Sequence, residues 1–128
     1  MRSAEGIAQR LRFHNTGPAQ TPTVVVGHLD GRGLAGAGFA EVLYLVNADK
    51  AAVTLTLPAL RGRPFALHPV HRSAAAAKRP LQQARCDAAT GTLSVPPRTA
   101  LVYVLPLSAR PRSGRQCALC AFSPAFSR

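Results

Sequence analysis

The chain of 128 residues has no tryptophan, five acidic residues, three cysteines and one methionine, and aromatic residues make up only 5% of it. Each shortage excludes something. Three cysteines are too few, and an odd number, for the disulfide framework that staples small extracellular domains. The scarcity of rings leaves little stacking surface for single-stranded nucleic acid or for a sugar chain. No apolar run approaches the roughly 18–20 residues of a membrane-spanning helix. The opening residues, Met1-Arg2-Ser3-Ala4-Glu5-Gly6, carry an acid and no apolar stretch of about 7–15 residues. No secretory signal is legible there, and the default compartment is cytoplasmic.

What is abundant is apolar and basic. Hydrophobic residues make up 47% of the chain, enough for a packed core in one domain of ordinary size. Sixteen basic residues, fourteen of them arginine, stand against the five acids, for a net charge of +11. Such a balance bears on partners, with polyanions foremost, and is silent about fold. The arginines are scattered and do not form a stripe, so the charge implies at most weak, non-specific polyanion binding and no specific nucleic-acid recognition.

Periodicity supplies the fold class. Ser3 is a plausible N-cap for one short helix in the first ten residues, with Glu5 suited to its positive end. From there the period becomes two. Leu11-Arg12-Phe13-His14 alternates and closes at Asn15-Thr16-Gly17-Pro18; Val24-Val25-Val26-Gly27-His28-Leu29 precedes the turn Asp30-Gly31-Arg32-Gly33. A buried-looking run follows at 41–47, and Val53-Thr54-Leu55-Thr56-Leu57 is the cleanest strand. These two, separated by a few turn residues, predict a β-hairpin over 42–57. Phe65-Ala66-Leu67-His68 stops at Pro69, a weak strand falls within 81–86, and Thr92-Leu93-Ser94-Val95 ends at Pro96-Pro97. The last strand spans 99–105, with Leu101, Tyr103 and Leu105 on one face and Val102 and Val104 on the other. About eight short strands punctuated by Gly and Pro predict an all-β, antiparallel sandwich with a short N-terminal helix. The domain reading is 1–10 linker helix, 11–105 sandwich and 106–128 an irregular, disordered tail. The tail carries four of the basic residues and no acid; without it, 12 basic residues face five acidic ones.

Few constellations carry chemistry. Cys117-Ala118-Leu119-Cys120 has the spacing of half a zinc site, but no second half follows, and Cys86 or any of His14, His28, His68 and His71 stands at no recognisable spacing. His68-Pro69-Val70-His71 places two imidazoles around a proline bend. Glycoside hydrolysis needs two carboxyl groups about 5–10 Å apart, and Glu5, Asp30, Glu41, Asp49 and Asp87 read as surface turns and strand caps instead. Gly31-Arg32-Gly33-Leu34-Ala35-Gly36 has dinucleotide-loop spacing without a helix to follow it. Phe13, Phe39, Tyr44, Phe65 and Tyr103 fall mostly on core phases of strands. No catalytic, metal-binding or cofactor-binding residue is assigned.

One resemblance covers most of this. The stretch 3–18, ending Phe13-His14-Asn15-Thr16-Gly17-Pro18, resembles the segment where bacterial pullulanases leave their catalytic barrel and enter the C-terminal domain. The strand that ends at Asn47-Ala48, the string Phe65-Ala66-Leu67-His68-Pro69-Val70 and the segment 95–104 are similar to the same domain in the same order. The resemblance implies an all-β sandwich from an enzyme of the alpha-amylase superfamily that cleaves α-1,6 glucan linkages. It further implies an accessory domain that packs on a (β/α)8 barrel and stabilises it, because no residue here matches the barrel's catalytic motifs. No cofactor is implied, and α-glucan is a further partner if the domain touches substrate. The resemblance places residue 1 at the linker and 106–128 beyond the domain's end. The alternatives are a glucan-binding module and a basic, non-specific nucleic-acid-binding domain.

Overall fold

A computed structural model describes residues 2–74, 81 and 83–107. Helix α1 (Ala4–Arg10) begins where Ser3, extended at φ −128°, accepts a hydrogen bond on its hydroxyl from the Gly6 N–H at 3.1 Å. It is short and buries none of its residues, so tertiary contacts and not propensity set its place.

Among the described residues eight strands follow: β1 (Leu11–His14), β2 (Val24–Asp30), β3 (Phe39–Asn47), β4 (Val53–Thr56), β5 (Ala66–Leu67), β6 (Arg85–Asp87), β7 (Thr92–Val95) and β8 (Thr99–Pro106). They form a five-stranded sheet in the order β1-β2-β3-β8-β5 and a three-stranded sheet in the order β4-β7-β6. Every pairing is antiparallel. The two sheets enclose one core: Val26, Leu43, Leu45 and Leu101 from the large sheet meet Leu55, Leu93 and Val95 from the small one. Leu101, Tyr103 and Leu105 face inward, the alternation that period two requires.

The expected hairpin over 42–57 does not form. β3 pairs with β2 and β8, whereas β4 pairs with β7 in the other sheet. The reason is the corner between them. Asn47 is 1% exposed, and its Nδ2 donates to the carbonyls of Ala51 at 2.9 Å and Pro96 at 3.0 Å while its Oδ1 accepts from the Asp49 N–H at 2.9 Å. This side chain satisfies the backbone of a chain that is leaving one sheet for the other, where a tight hairpin would have satisfied its own. The weak strand expected within 81–86 is β6, displaced to Arg85–Asp87. The cysteine pair at 117 and 120 and most of the expected tail lie outside the described residues.

The outer faces of the two sheets differ in chemistry. Thr54, Thr56, Thr92, Ser94, Arg85 and Asp87 take the outward phases of the small sheet. On the large sheet the outward rows run Leu11-Leu29-Val42-Val104, Phe13-Gly27-Tyr44-Val102 and Val25-Val46-Ala100, without a single charge.

Candidate functional site

Two features could act on something outside the chain: this uncharged sheet face, and a charged cluster at the α1 end of the sandwich interior.

The cluster forms because β2 and β3 each place a polar residue on an inward phase. On β3 the inward set is Glu41, Leu43, Leu45 and Asn47; on β2 it is Val24, Val26, His28 and Asp30, and Asp30 pairs directly with Glu41. Glu41 is 1% exposed. A carboxylate so placed needs donors, and three arrive from different parts of the chain: Arg32 from the β2–β3 loop, Arg63 from the stretch before β5, and His28 from β2. His28 Nε2 lies 2.8 Å from Glu41 Oε2, and His14 Nε2 lies 3.1 Å from His28 Nδ1. A carboxylate only accepts, so His28 donates through Nε2, and its Nδ1 meets His14 Nε2 in a bond whose direction follows the protonation of the two rings. The result is a chain of contacts from His14 through His28 to Glu41. Burial holds His14 below its ordinary value, and the positive groups His28, Arg63 and Arg12 push it the same way. Arg10 reaches over from α1, its Nη1 donating to the carbonyls of Asp30 at 3.2 Å and Arg32 at 2.8 Å.

The other candidates of the sequence are dispersed into structural work. His68 Nδ1 accepts from the Val70 N–H and His71 Nε2 from the Val102 N–H, both at 3.1 Å, so these imidazoles end the β5 edge. Asp49 accepts from the Ala51 N–H at 3.3 Å. Asp87 accepts from the Ala89 N–H at 2.9 Å and the Thr90 hydroxyl at 3.0 Å, which holds its carboxyl below the usual range. Glu5 sits in the first turn of α1. The glycine-spaced loop 31–36 closes with the Leu34 N–H on the Gly31 carbonyl and leads to an antiparallel strand. Cys86 packs against the core, where burial pushes its thiol up.

Glu41 corrects the sequence reading, which placed every acid at surface turns and caps. The signal was present: a carboxylate sharing its phase with Leu43 and Leu45 must be buried if they are. What periodicity could not supply was Arg63, 22 residues away.

The aromatic expectation divides. Phe65 and Tyr103 are buried, whereas Phe13 is 52% exposed on the outer sheet face. Tyr44 shares that face, lying across Gly27, where a Cβ would come within 2.0 Å of its ring. Val25 and Val46 are exposed beside them at 48% and 41%. An exposed apolar face of this kind is a candidate contact surface.

Two antiparallel sheets around one core, with a polar small sheet and an apolar large one, define a β-sandwich module of the all-β class. Residues 1–106 match the family described as alpha-1,6-glucosidases, pullulanase-type, C-terminal, and the chain belongs to that family. It is 33% identical over 109 residues to pullulanase 1, chloroplastic, of Arabidopsis thaliana, covering 80% of this chain and 11% of that protein. Among solved structures, PulA from Klebsiella oxytoca superposes with a TM-score of 0.57 at 24% identity over 77% of this chain and 9% of that one. The pullulanase of Paenibacillus barengoltzii, solved as a mutant with maltotriose, gives 0.56 at 23% over 81% and 14%. The chain thus spans about a tenth of the length of the relatives it matches.

Proposed function

We propose that this chain is the C-terminal accessory domain of a pullulanase-type debranching enzyme, non-catalytic by itself, and that it seats the outer face of its large sheet on the catalytic barrel. The carrying observation is that face: three rows across β1, β2, β3 and β8 with no charge, next to a polar small sheet. A central strand apolar on both phases, as β3 is from Val42 to Val46, belongs to a sheet covered on both sides. The small sheet covers one side, and in relatives of which this chain spans about a tenth there is ample polypeptide to cover the other.

The carboxylates support the non-catalytic part. Glycoside chemistry requires one carboxyl group to hold a proton and the other to face the substrate ionised. Glu41 is engaged by two guanidiniums and an imidazole, and Asp30 accepts the Arg32 N–H at 2.9 Å. The domain boundaries follow the same reading, with α1 as the connector, 11–105 as the sandwich and 106–128 as an extension.

The test is a chimera in which this chain replaces the C-terminal domain of the Arabidopsis relative. The expected result is that the chimera hydrolyses pullulan and melts near the parent, whereas Val46→Lys in the graft lowers the melting temperature by several degrees. A lysine without effect there would overturn the docking face. Release of reducing sugar from pullulan by the 128-residue chain alone would overturn the non-catalytic reading. Retardation of the chain in a gel containing amylopectin would instead assign the Phe13–Tyr44 surface to glucan.

A further inference from the structure

The cavity beside the buried glutamate gathers more positive charge than its carboxylates answer. It measures about 200 Å³, several times the roughly 30 Å³ that one water takes. Among the described residues Arg10, Arg12, Arg32 and Arg63 line it, against two carboxylates, Glu41 and Asp30. Those carboxylates are largely committed already: Glu41 to Arg32, Arg63 and His28, and Asp30 Oδ1 to a backbone N–H. The guanidiniums are not. Each carries five N–H donors, of which Arg10 commits one nitrogen to backbone carbonyls and Arg32 and Arg63 one nitrogen each to Glu41. Arg12 makes no side-chain hydrogen bond among the described residues. Arg32 and Arg63 answer the buried Glu41 and Arg10 holds the β2–β3 loop, but Arg12 adds a further like charge to the hollow and pairs with neither carboxylate.

We propose that this cavity binds a phosphate-class oxyanion, with Arg12 as its principal donor and the uncommitted N–H groups of Arg10, Arg32 and Arg63 completing the cradle. Forked guanidiniums match the oxygens of a tetrahedral anion and give short, charge-assisted hydrogen bonds. The same charges exclude a metal cation, although His14 and His28 lie close together.

The anion is linked to a proton. His14 faces Arg12 on its own strand, His28 and Asp30 from β2, Glu41 from β3 through His28, Arg10 from α1, and Arg32 and Arg63 from loops. A bound anion offsets the positive field of Arg12 and Arg63 that disfavours a protonated His14. Anion binding therefore raises the pKa of His14, and by reciprocity protonation of His14 tightens the anion.

Sulfate is the probe, because it stays fully ionised where histidine titrates. The 128-residue chain is titrated with sodium sulfate, ionic strength being held constant with sodium chloride, and the His14 imidazole is followed by NMR. The expected results are a saturable shift with half-saturation in the millimolar range, a His14 pKa higher in sulfate than in chloride, and an affinity at least about threefold weaker in Arg12→Gln. Arg12 is exposed, so this variant is expected to keep the wild-type circular dichroism. His14→Asn is expected to bind sulfate with a weaker pH dependence between 5 and 7 than the wild-type chain. Shifts that do not saturate, equal affinity in Arg12→Gln, or an unchanged His14 pKa would each overturn the site.

Discussion

Single side chains decide whether the interior of this sandwich is consistent. Glu41 is the sharpest case: a buried carboxylate whose three partners come from three separate segments. Glu41→Gln keeps the volume but leaves Arg32, Arg63 and His28 without their counter-charge, and removing one partner of such a network costs about 3 kcal/mol. Urea denaturation of the variant should show that loss. Tyr103 is the converse. It is 3% exposed, and its hydroxyl has no hydrogen-bond partner among the described residues. Removing an unpaired buried hydroxyl relieves a desolvation cost, so Tyr103→Phe is expected to stabilise the fold by about 1 kcal/mol. Burial has also pushed the Tyr103 phenol up to about 12. The unfolded chain releases that proton near pH 10 and the folded one near 12, so stability falls as pH rises between those values. Alkaline unfolding curves should lose that component in the phenylalanine variant. His14 acts at the acid end. Its pKa is lowered in the fold, so its contribution is present above about pH 6.5, the ordinary histidine value, and is lost as pH falls.

At the level of elements, two devices set the shape of the large sheet and the crossing to the small one. Tyr44 lies where a side chain on Gly27 would stand, and a Cβ there would overlap its ring at 2.0–2.4 Å. Gly27→Ala should therefore force Tyr44 off its rotamer at a cost of about 1–3 kcal/mol. In Tyr44→Ala the same substitution should cost far less, and a double-mutant cycle measures the difference. The second device is Asn47. Its amide holds the β3–β4 corner to the stretch between β7 and β8, and Asn47→Ala leaves the carbonyls of Ala51 and Pro96 without that donor. A loss of about 2–4 kcal/mol in chemical denaturation is expected, since several buried groups lose partners at once. Element positions were largely legible from period two, and their pairing was less so. The run at 41–47 and the strand at 53–57 looked like neighbours across a turn, but Asn47 does for the backbone what the turn of a hairpin would have done.

For the whole molecule the decisive asymmetry is between the faces of the two sheets. The excess of arginine first points to a polyanion partner, yet the large outer face is free of charge while four arginines gather around one open cavity at the α1 end. An uncovered apolar face on an isolated chain favours self-association. Sedimentation velocity of the 128-residue chain should show a concentration-dependent dimer or larger species. Val25→Lys and Val46→Lys should each shift it towards monomer without loss of secondary structure, because both positions are exposed.

The sequence by itself determined the class. Alternating strands, turn residues at regular intervals, and a helix that starts at Ser3 are local properties, and local steric preference expresses them whatever the rest of the chain does. The tertiary structure decided what no window of neighbouring residues contains. It determined that β3 lies between β2 and β8, that Arg63 reaches Glu41, and that Phe13 and Tyr44 share an outward face when their strand phases read as core. Those are long-range facts, because which side of an amphipathic or doubly apolar strand is covered depends on what the other sheet can reach.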